Sequence, residues 1–383
     1  MTTNFRVGLN LLYVRPGFVG GGETYARGLL DGLQKLSLPF EFFVLLNRQA
    51  LPTFAKLADI PGFHLVECSN PLNSWLRHVW EQAFLPGICS RYSIDLLHSL
   101  ANVIPFFARC KRVVTIHDML YKVDPSSQPW MRRHVLGSLV TMSARHADAV
   151  LTVSHDSARS IKRYTHVPDS KVYLTLEGPG QQWPSTSDWD EIRQKYNLPQ
   201  RYFLSVGTDS HKRVDVTVRA LDILRQKSGL PVSLAVAGWQ RHGTALRHNT
   251  EGVNFLGYVL PQDLATLFSN ATALICSSEL EGFGLPVLEA MSMGTPVIST
   301  RCGALPEVVG DAGMLVLPDN PVALADVMER VVQDCDLRSR LREKGLVQAG
   351  RFSWRECAMA TAQAYSEILH IRPNPVSGIY SVS

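Results

Sequence analysis

Short apolar runs rich in β-branched residues recur at Val7–Leu12, Phe40–Leu46, Leu96–His98, Val113–Ile116, Ala149–Val153 and Val172–Leu176. Each has the length of a strand, and amphipathic stretches of helix length lie between many of them. Strands buried on both faces read as continuous apolar runs, so this rhythm predicts an α/β protein with a parallel, doubly wound sheet. The rhythm breaks at the polar stretch Pro179–Asp190 and restarts at Tyr202–Val206, Val232–Ala237, Val253–Leu256, Ala273–Cys276, Pro296–Ser299 and Met314–Val316. Two Rossmann-like domains are therefore expected, over residues 1–178 and 179–350. Beyond them, Phe352, Trp354, Cys357, Ala358, Thr361, Ala364, Tyr365, Ile368 and Leu369 fall three and four apart. They predict a last helix over 351–371 whose apolar face must dock on something. The tail, 372–383, reads as loose.

Parallel sheets of this kind bind ligands beyond the carboxyl ends of their strands, so two in tandem face each other across a cleft, where the active site is expected. A chain of 383 residues exceeds what one core usually supports, in agreement with two domains. Apolar residues at 45% against 19% charged exclude a disordered chain. The net charge of +4 suits an anionic small molecule or a membrane surface. The basic runs Arg109–Arg112, Arg132–His134 and Arg338–Lys344 are short and scattered, which argues against nucleic acid as a partner. Seven cysteines without Cys-x-x-Cys spacing form neither a disulfide framework nor a zinc site, and a reduced cytoplasmic setting fits best. The first residues alternate into a strand with no signal-like apolar core, and no run reaches the length of a membrane span, so a cytoplasmic protein, free or peripherally attached to a membrane, is expected.

The segment Glu279–Val297 follows the run Ala273–Cys276 and reads as loop, helix and strand. Gly282 and Gly284 allow close backbone approach, Pro286 suits a first helical turn, and Gly294 followed by Pro296 ends the helix. The loop thus delivers exposed amides at a helix N-terminus, which attracts anions or electron-rich oxygens by about 0.3–1 kcal/mol at an exposed site. Glu281 in the loop and Glu289 one turn into the helix can face one pocket, and a carboxylate can accept both vicinal hydroxyls of a ribose.

Taken with the surrounding Gly282-Phe-Gly-Leu-Pro286 and Ala290-Met-Ser-Met-Gly294-Thr-Pro296, the two glutamates resemble the signature of the family 4 retaining glycosyltransferases, which have the GT-B fold. The resemblance covers nearly the whole chain. It includes Gly20-Gly-Gly22-Glu23, Trp80-Glu-Gln82, Asp95-Leu-Leu-His98, Thr115-Ile-His-Asp118, Ala147-Asp-Ala149 leading to Val153-Ser154, Gly207-Thr208 with Lys212, Phe255-Leu-Gly-Tyr-Val259, and Phe352-Ser-Trp354. It is nearest to bacterial enzymes that build O-antigens or exopolysaccharides, many of them mannosyl- or rhamnosyltransferases.

The resemblance implies an acceptor-binding N-terminal domain, a nucleotide-sugar-binding C-terminal domain, and a last helix that crosses back onto the first. Glu289 would hold the donor ribose, while Glu281 with the amides of Phe283, Gly284 and Leu285 would hold the transferred sugar. Val259 would lie against the nucleobase or be an ordinary buried valine. Lys212 would stabilise charge on the departing diphosphate, with Arg213 helping or facing water. Gly20–Gly22 would form a flexible turn whose bare backbone approaches a phosphate or the acceptor, with Gly21 and Gly22 the donor-binding pair. His117 would contact the donor sugar near the reacting carbon. Asp118 would orient the acceptor or the loop, and Ser154 would meet the acceptor or cap its helix.

Two departures stand out. Many family members carry an arginine soon after the glycine of the Gly207 turn, where this chain has Thr208-Asp-Ser-His211, and most have Asn-Gly where this chain has Glu177-Gly178. His211 or Arg213 could supply the lost phosphate contact, and Glu177 could line the cleft or shape its turn. Asp188-Trp-Asp190 matches a metal-binding Asp-x-Asp motif but lies in the linker, where helix capping or chance accounts for it. The function expected is metal-independent, cofactor-free hexose transfer with retention, from a sugar nucleotide (GDP-mannose over a UDP-sugar) to a saccharide or lipid-linked acceptor. The rivals are a GT-B-fold sugar-nucleotide epimerase and a catalytically silent nucleotide-sugar-binding subunit.

Overall fold

A computed structural model describes residues 4–17, 20–71, 74–123, 132–180, 187–239 and 251–371, so the C-terminal tail and part of the interdomain linker lie outside the described residues. Among them, seven parallel strands make a first sheet: β1 (Phe5–Asn10), β2 (Phe40–Asn47), β3 (Phe63–Cys68), β4 (Leu96–Ser99), β5 (Lys111–Thr115), β6 (Ala149–Thr152) and β7 (Val172–Leu174). Their spatial order is β3-β2-β1-β4-β5-β6-β7. Six more make a second sheet: β8 (Tyr202–Val206), β9 (Ser233–Ala237), β10 (Val253–Gly257), β11 (Ala273–Cys276), β12 (Val297–Thr300) and β13 (Met314–Val316), in the order β10-β9-β8-β11-β12-β13. Strand order reverses beside β1, where β4 pairs on its other edge, and beside β8, where β11 does the same. Crevices for ligands open at such switch points.

The apolar runs mark twelve of these strands to within a residue or two but miss β3. Its sequence, Phe-His-Leu-Val-Glu-Cys, buries Phe63, Val66 and Cys68 and exposes His64 and Glu67. As the edge of the sheet it carries charged and polar side chains that a central strand would exclude, which hides it from a search for continuous apolar runs.

The last helix, Trp354–Ile368, buries Trp354, Cys357, Ala358, Thr361, Ala362, Ala364, Tyr365 and Ile368. That is the face its spacing predicts, and it packs on the first helix, Gly20–Gln34, across the N-terminal domain. Tyr365 meets His98 Nδ1 at 2.6 Å, and His98 Nε2 meets Thr115 Oγ1 at 2.7 Å. Burial lowers the pKa of His98 to about 3, so the ring stays neutral and joins two hydroxyl partners. The Trp354 indole donates to the Pro179 carbonyl at 2.6 Å and thereby ties the linker down.

Close helix packing requires Gly28 and Gly32. A Cβ at Gly28 would lie 2.1 Å from the Trp354 ring, and one at Gly32 would lie 2.2 Å from the Trp354 carbonyl oxygen, a backbone atom that cannot rotate away. Alanine at Gly32 gains about 1 kcal/mol of helix propensity. Overpacking of this severity costs about 3 kcal/mol. Gly32→Ala is therefore expected to lower stability by about 2 kcal/mol in urea unfolding; equal or greater stability would show that the two helices are not seated this closely.

Candidate active site

Both switch points deliver functional side chains. After β8 the chain makes a short 3-10 turn, Ser210–Lys212, and after β11 it enters the loop that carries Glu281. Because β8 and β11 are neighbours, these side chains meet: Lys212 Nζ lies 2.6 Å from Glu281 Oε1. Ser278 Oγ donates to the same oxygen at 2.6 Å. Burial works against charge on Glu281, but the Lys212 ammonium outweighs it and holds the carboxyl below its usual range. Lys212, likewise buried, is held above its usual value chiefly by Glu281.

The loop ends in the helix Leu285–Ser292, whose N-cap is Gly284 at φ +101°. Phe283 is buried against Phe352, with ring centroids 5.7 Å apart. Leu285 reaches across the cleft to within 3.5 Å of where a Cβ on Gly21 would sit. Gly282 also lies at the seam, where a Cβ would come 2.4 Å from the His117 carbonyl oxygen. Ser157 Oγ donates to that carbonyl at 2.8 Å and to the Gly282 carbonyl at 3.2 Å, so one hydroxyl joins the two domains.

Gly20–Gly22 are not the flexible turn expected from their composition. They open the helix Gly20–Gln34, where Tyr13 donates to the Gly22 carbonyl at 2.8 Å and Glu23 pairs with Arg27 at 2.7 Å. Two helix N-termini thus face the cleft from opposite domains. Beside the first of them lies a cavity of about 250 Å³, lined by Gly17, Gly20, Gly180, Tyr258, Val259 and Glu289 among others. Val259, although 8% exposed, faces this space.

His117 follows β5 and stands edge-on to Tyr25, with centroids 4.7 Å apart. Its Nε2 lies 3.0 Å from the Leu100 carbonyl and its Nδ1 lies 3.6 Å from the Glu177 carboxylate. A carbonyl can only accept, so Nε2 carries a proton, and Nδ1 faces the Glu177 carboxyl. Burial disfavours charge on both groups, yet Glu177 keeps His117 above its usual value; Glu177 itself is raised by burial, which its histidine offsets only in part. In this arrangement neither ring nitrogen is open to a ligand.

Glu289 is 8% exposed and, among the described residues, makes no side-chain ion pair. Burial first and the Glu177 carboxylate second, with Lys212 opposing, push its pKa up to about 8. It is therefore protonated near neutral pH.

Other expected residues take bland roles. Ser154 is fully buried and caps the helix His155–Thr165 by accepting from the Ser157 amide at 3.0 Å; its burial rules out the acceptor contact. Asp118 accepts from the Leu120 amide at 2.9 Å and so shapes its loop. Arg213 neither faces water alone nor points a free cation at the site, because Asp215, Glu279 and Asp319 surround it. Asp188 caps the helix Trp189–Lys195. Ser278, Ser157 and Tyr25 carried no sequence signal strong enough to single them out, although Ser277-Ser278 directly before the glutamate motif was a local hint. Glu177 was visible as a departure, but its partner was not.

Helix termini and a lysine favour an anion, and carboxylates can accept from hydroxyls. Residues 19–175 match the family described as Glycosyltransferase Family 4, and residues 200–334 match Glycosyl transferases group 1. The chain is 32% identical to O-antigen chain mannosyltransferase B of Escherichia coli over 266 residues, which span 67% of this chain and 70% of that protein. The chain belongs to glycosyltransferase family 4. Serotype-specific mannosyltransferase WbdA of Escherichia coli is 23% identical over 76% of this chain, which spans only 37% of that longer protein. Among solved structures, WaaG, a glycosyltransferase involved in lipopolysaccharide biosynthesis, aligns at TM-score 0.71 and 17% identity over 93% of this chain and 98% of its own. Anabaena Alr3699/HepE in complex with UDP-glucose aligns at TM-score 0.73 and 19% identity over 94% and 99%. These likenesses give this family member the GT-B fold. No helix among its described residues is long and apolar enough to cross a membrane.

The Glu289 carboxyl gives this glycosyltransferase a pH signature. Its folded pKa of about 8 stands above the ordinary 4.5, so the folded protein holds a proton that the unfolded chain releases. Stability from this group is full below pH 4.5 and is lost as pH rises towards 8, at about 1.4 kcal/mol per unit crossed. Glu289→Gln removes the linkage, so its stability relative to the parent should climb between pH 5.5 and pH 7.5 by about 2–3 kcal/mol in denaturant titrations. A constant difference over that range would show that Glu289 is ionised in the fold.

Proposed function

We propose that the protein transfers a hexose, with retention of configuration and without a metal ion, from a sugar nucleotide to a saccharide or lipid-linked acceptor in surface polysaccharide synthesis. GDP-mannose is the donor favoured, because relatives of this chain are named as mannosyltransferases. The observation that carries the reading is the pairing of Lys212 with Glu281 in the loop that leads into the helix Leu285–Ser292, with Glu289 of that helix lining an interdomain cavity beside Gly20.

In this reading the donor diphosphate lies between the helix termini of Gly20 and Leu285, whose amides and dipoles favour negative charge. Glu281 exchanges its Lys212 partner for hydroxyls of the transferred sugar. Lys212 then turns to the phosphate oxygens, where charge develops as the glycosyl–phosphate bond breaks, and supplies the stabilisation that a metal gives elsewhere. The departing phosphate accepts the proton of the acceptor hydroxyl as that oxygen bonds to the same face of the sugar carbon. Glu289 takes the ribose hydroxyls, and Val259 lies beside the base. The His117–Glu177 pair places an imidazole behind the reacting centre.

The acceptor domain also supports a peripheral membrane contact. Leu76, Val79 and Phe84 are exposed on the helix Ser74–Arg91, and Phe107 is 77% exposed on a loop tied to that helix by Gln82. A lipid-linked acceptor would be met there.

Lys212→Ala is expected to lower kcat on the order of a hundredfold, as loss of one transition-state donor does; unchanged turnover in an assay of mannose transfer would remove Lys212 from the mechanism. In a thermal-shift panel of UDP-, GDP-, ADP- and TDP-sugars, the true donor at about a hundred times its Kd should add about 2.7 kcal/mol of stability. A dominant response to a nucleotide other than GDP would overturn the donor assignment while leaving transfer intact, and an isomerised donor without transfer would indicate an epimerase.

A further inference from the structure

Three of the seven cysteines, Cys68, Cys89 and Cys110, meet in one apolar cluster beneath the helix Ser74–Arg91. Cys89 lies in the last turns of that helix, 3% exposed, and Cys110 immediately precedes β5 and is half-buried. The two segments are held together independently of the thiols: Ile94 donates to the Cys89 carbonyl, Lys111 donates to the Asp95 carbonyl, each at 2.9 Å, and Leu96 pairs with Lys111 between β4 and β5. Both cysteines line one cavity of about 570 Å³ together with Asp95, Arg109, Lys111, Arg112 and Asp148. We propose that Cys110 and Cys89 are a dithiol redox site, in which a peroxide oxidises Cys110 and Cys89 resolves it to a reversible disulfide.

The surroundings divide the roles. Pairing with the Cys89 side chain holds Cys110 below its usual value against the effect of burial, with help from backbone amides and the Arg112 cation. The same contact, then burial, pushes Cys89 up, so it stays a thiol. Among the charged groups on this cavity, Asp148 accepts from the Arg112 amide at 2.8 Å and from Lys111 Nζ at 3.2 Å, and Asp95 accepts from the Arg6 amide. Arg112 gives one N–H to the Phe106 carbonyl. A partly exposed thiolate beside a cation is the reactive form of cysteine. Cys68, raised to about 12 by burial, lacks that character.

The steps balance. The Cys110 thiolate attacks one oxygen of hydrogen peroxide, the O–O bond breaks, and with one proton taken up the products are a sulfenic acid and water. The Cys89 sulfur then displaces hydroxide from that sulfenic acid. Its thiol proton leaves with the hydroxide as a second water, and the S–S bond forms. The site lies at the amino ends of β4 and β5, away from the carboxyl ends that build the active site. Its test is therefore independent of the transferase reading.

Full-length protein treated with dilute hydrogen peroxide, blocked with N-ethylmaleimide and mapped by non-reducing peptide mass spectrometry should yield a Cys89–Cys110 linked pair, lighter by two hydrogens and reversed by dithiothreitol. Cys89→Ala should arrest the reaction at a Cys110 sulfenic acid that dimedone traps, and should slow alkylation of Cys110 by iodoacetamide at pH 7. The wild-type map needs no substitution and stands if either variant misfolds. A link from Cys89 to Cys68, oxidation of the exposed Cys335 alone, or no modification of Cys110 would overturn the proposal.

Discussion

The seat of Trp354 between Gly28 and Gly32 governs more of this molecule than any other contact. The indole lies on a helix that follows the second sheet in the chain yet is buried against the first helix of the first sheet. Its N–H holds the Pro179 carbonyl, and that bond decides where the linker runs. The linker in turn carries Glu177 to His117 and lays the Gly180 backbone against the Glu289 carboxyl. Trp354 also packs edge-on to Tyr25, which packs edge-on to His117. One tertiary contact thereby sets the distance between two sheets, the path between them, and the environment of two site residues.

Buried charge is the second constraint. Ionised groups taken from water are tolerated when paired, and breaking such a pair is costly. Lys212 and Glu281 satisfy each other across the β8–β11 switch point, and His117 and Glu177 meet at 3.6 Å within the N-terminal domain. Glu289, left over, is raised and neutral near pH 7. The cleft thus holds Lys212 with Glu281 and His117 with Glu177 in mutual contacts.

Much of this was legible in the order of residues. Twelve strand positions, the docking face of the last helix and the glutamate loop follow from local apolar periodicity and from glycine and proline placement. What escaped did so for physical reasons. β3 is an edge strand, and its solvent-facing His64 and Glu67 interrupt the pattern. Gly20–Gly22 read as a loop by propensity, yet packing of the helix behind them extends it to include them. Ser154 looked equally fit for capping and for binding, and only its complete burial separates the two.

The amino-acid sequence by itself determined the two parallel sheets, the family, and the loop and helix that carry Glu281 and Glu289, because burial pattern and turn chemistry are local properties that repeat along the chain. Tertiary structure alone decided the protonation and pairing of those side chains. Glu177 lies far from His117 in sequence and Lys212 far from Glu281, and a charge state depends on what is within a few ångströms in space. The Cys89–Cys110 contact is of the same kind, since cysteines spaced without any motif become neighbours only when β4 and β5 pair beneath a helix.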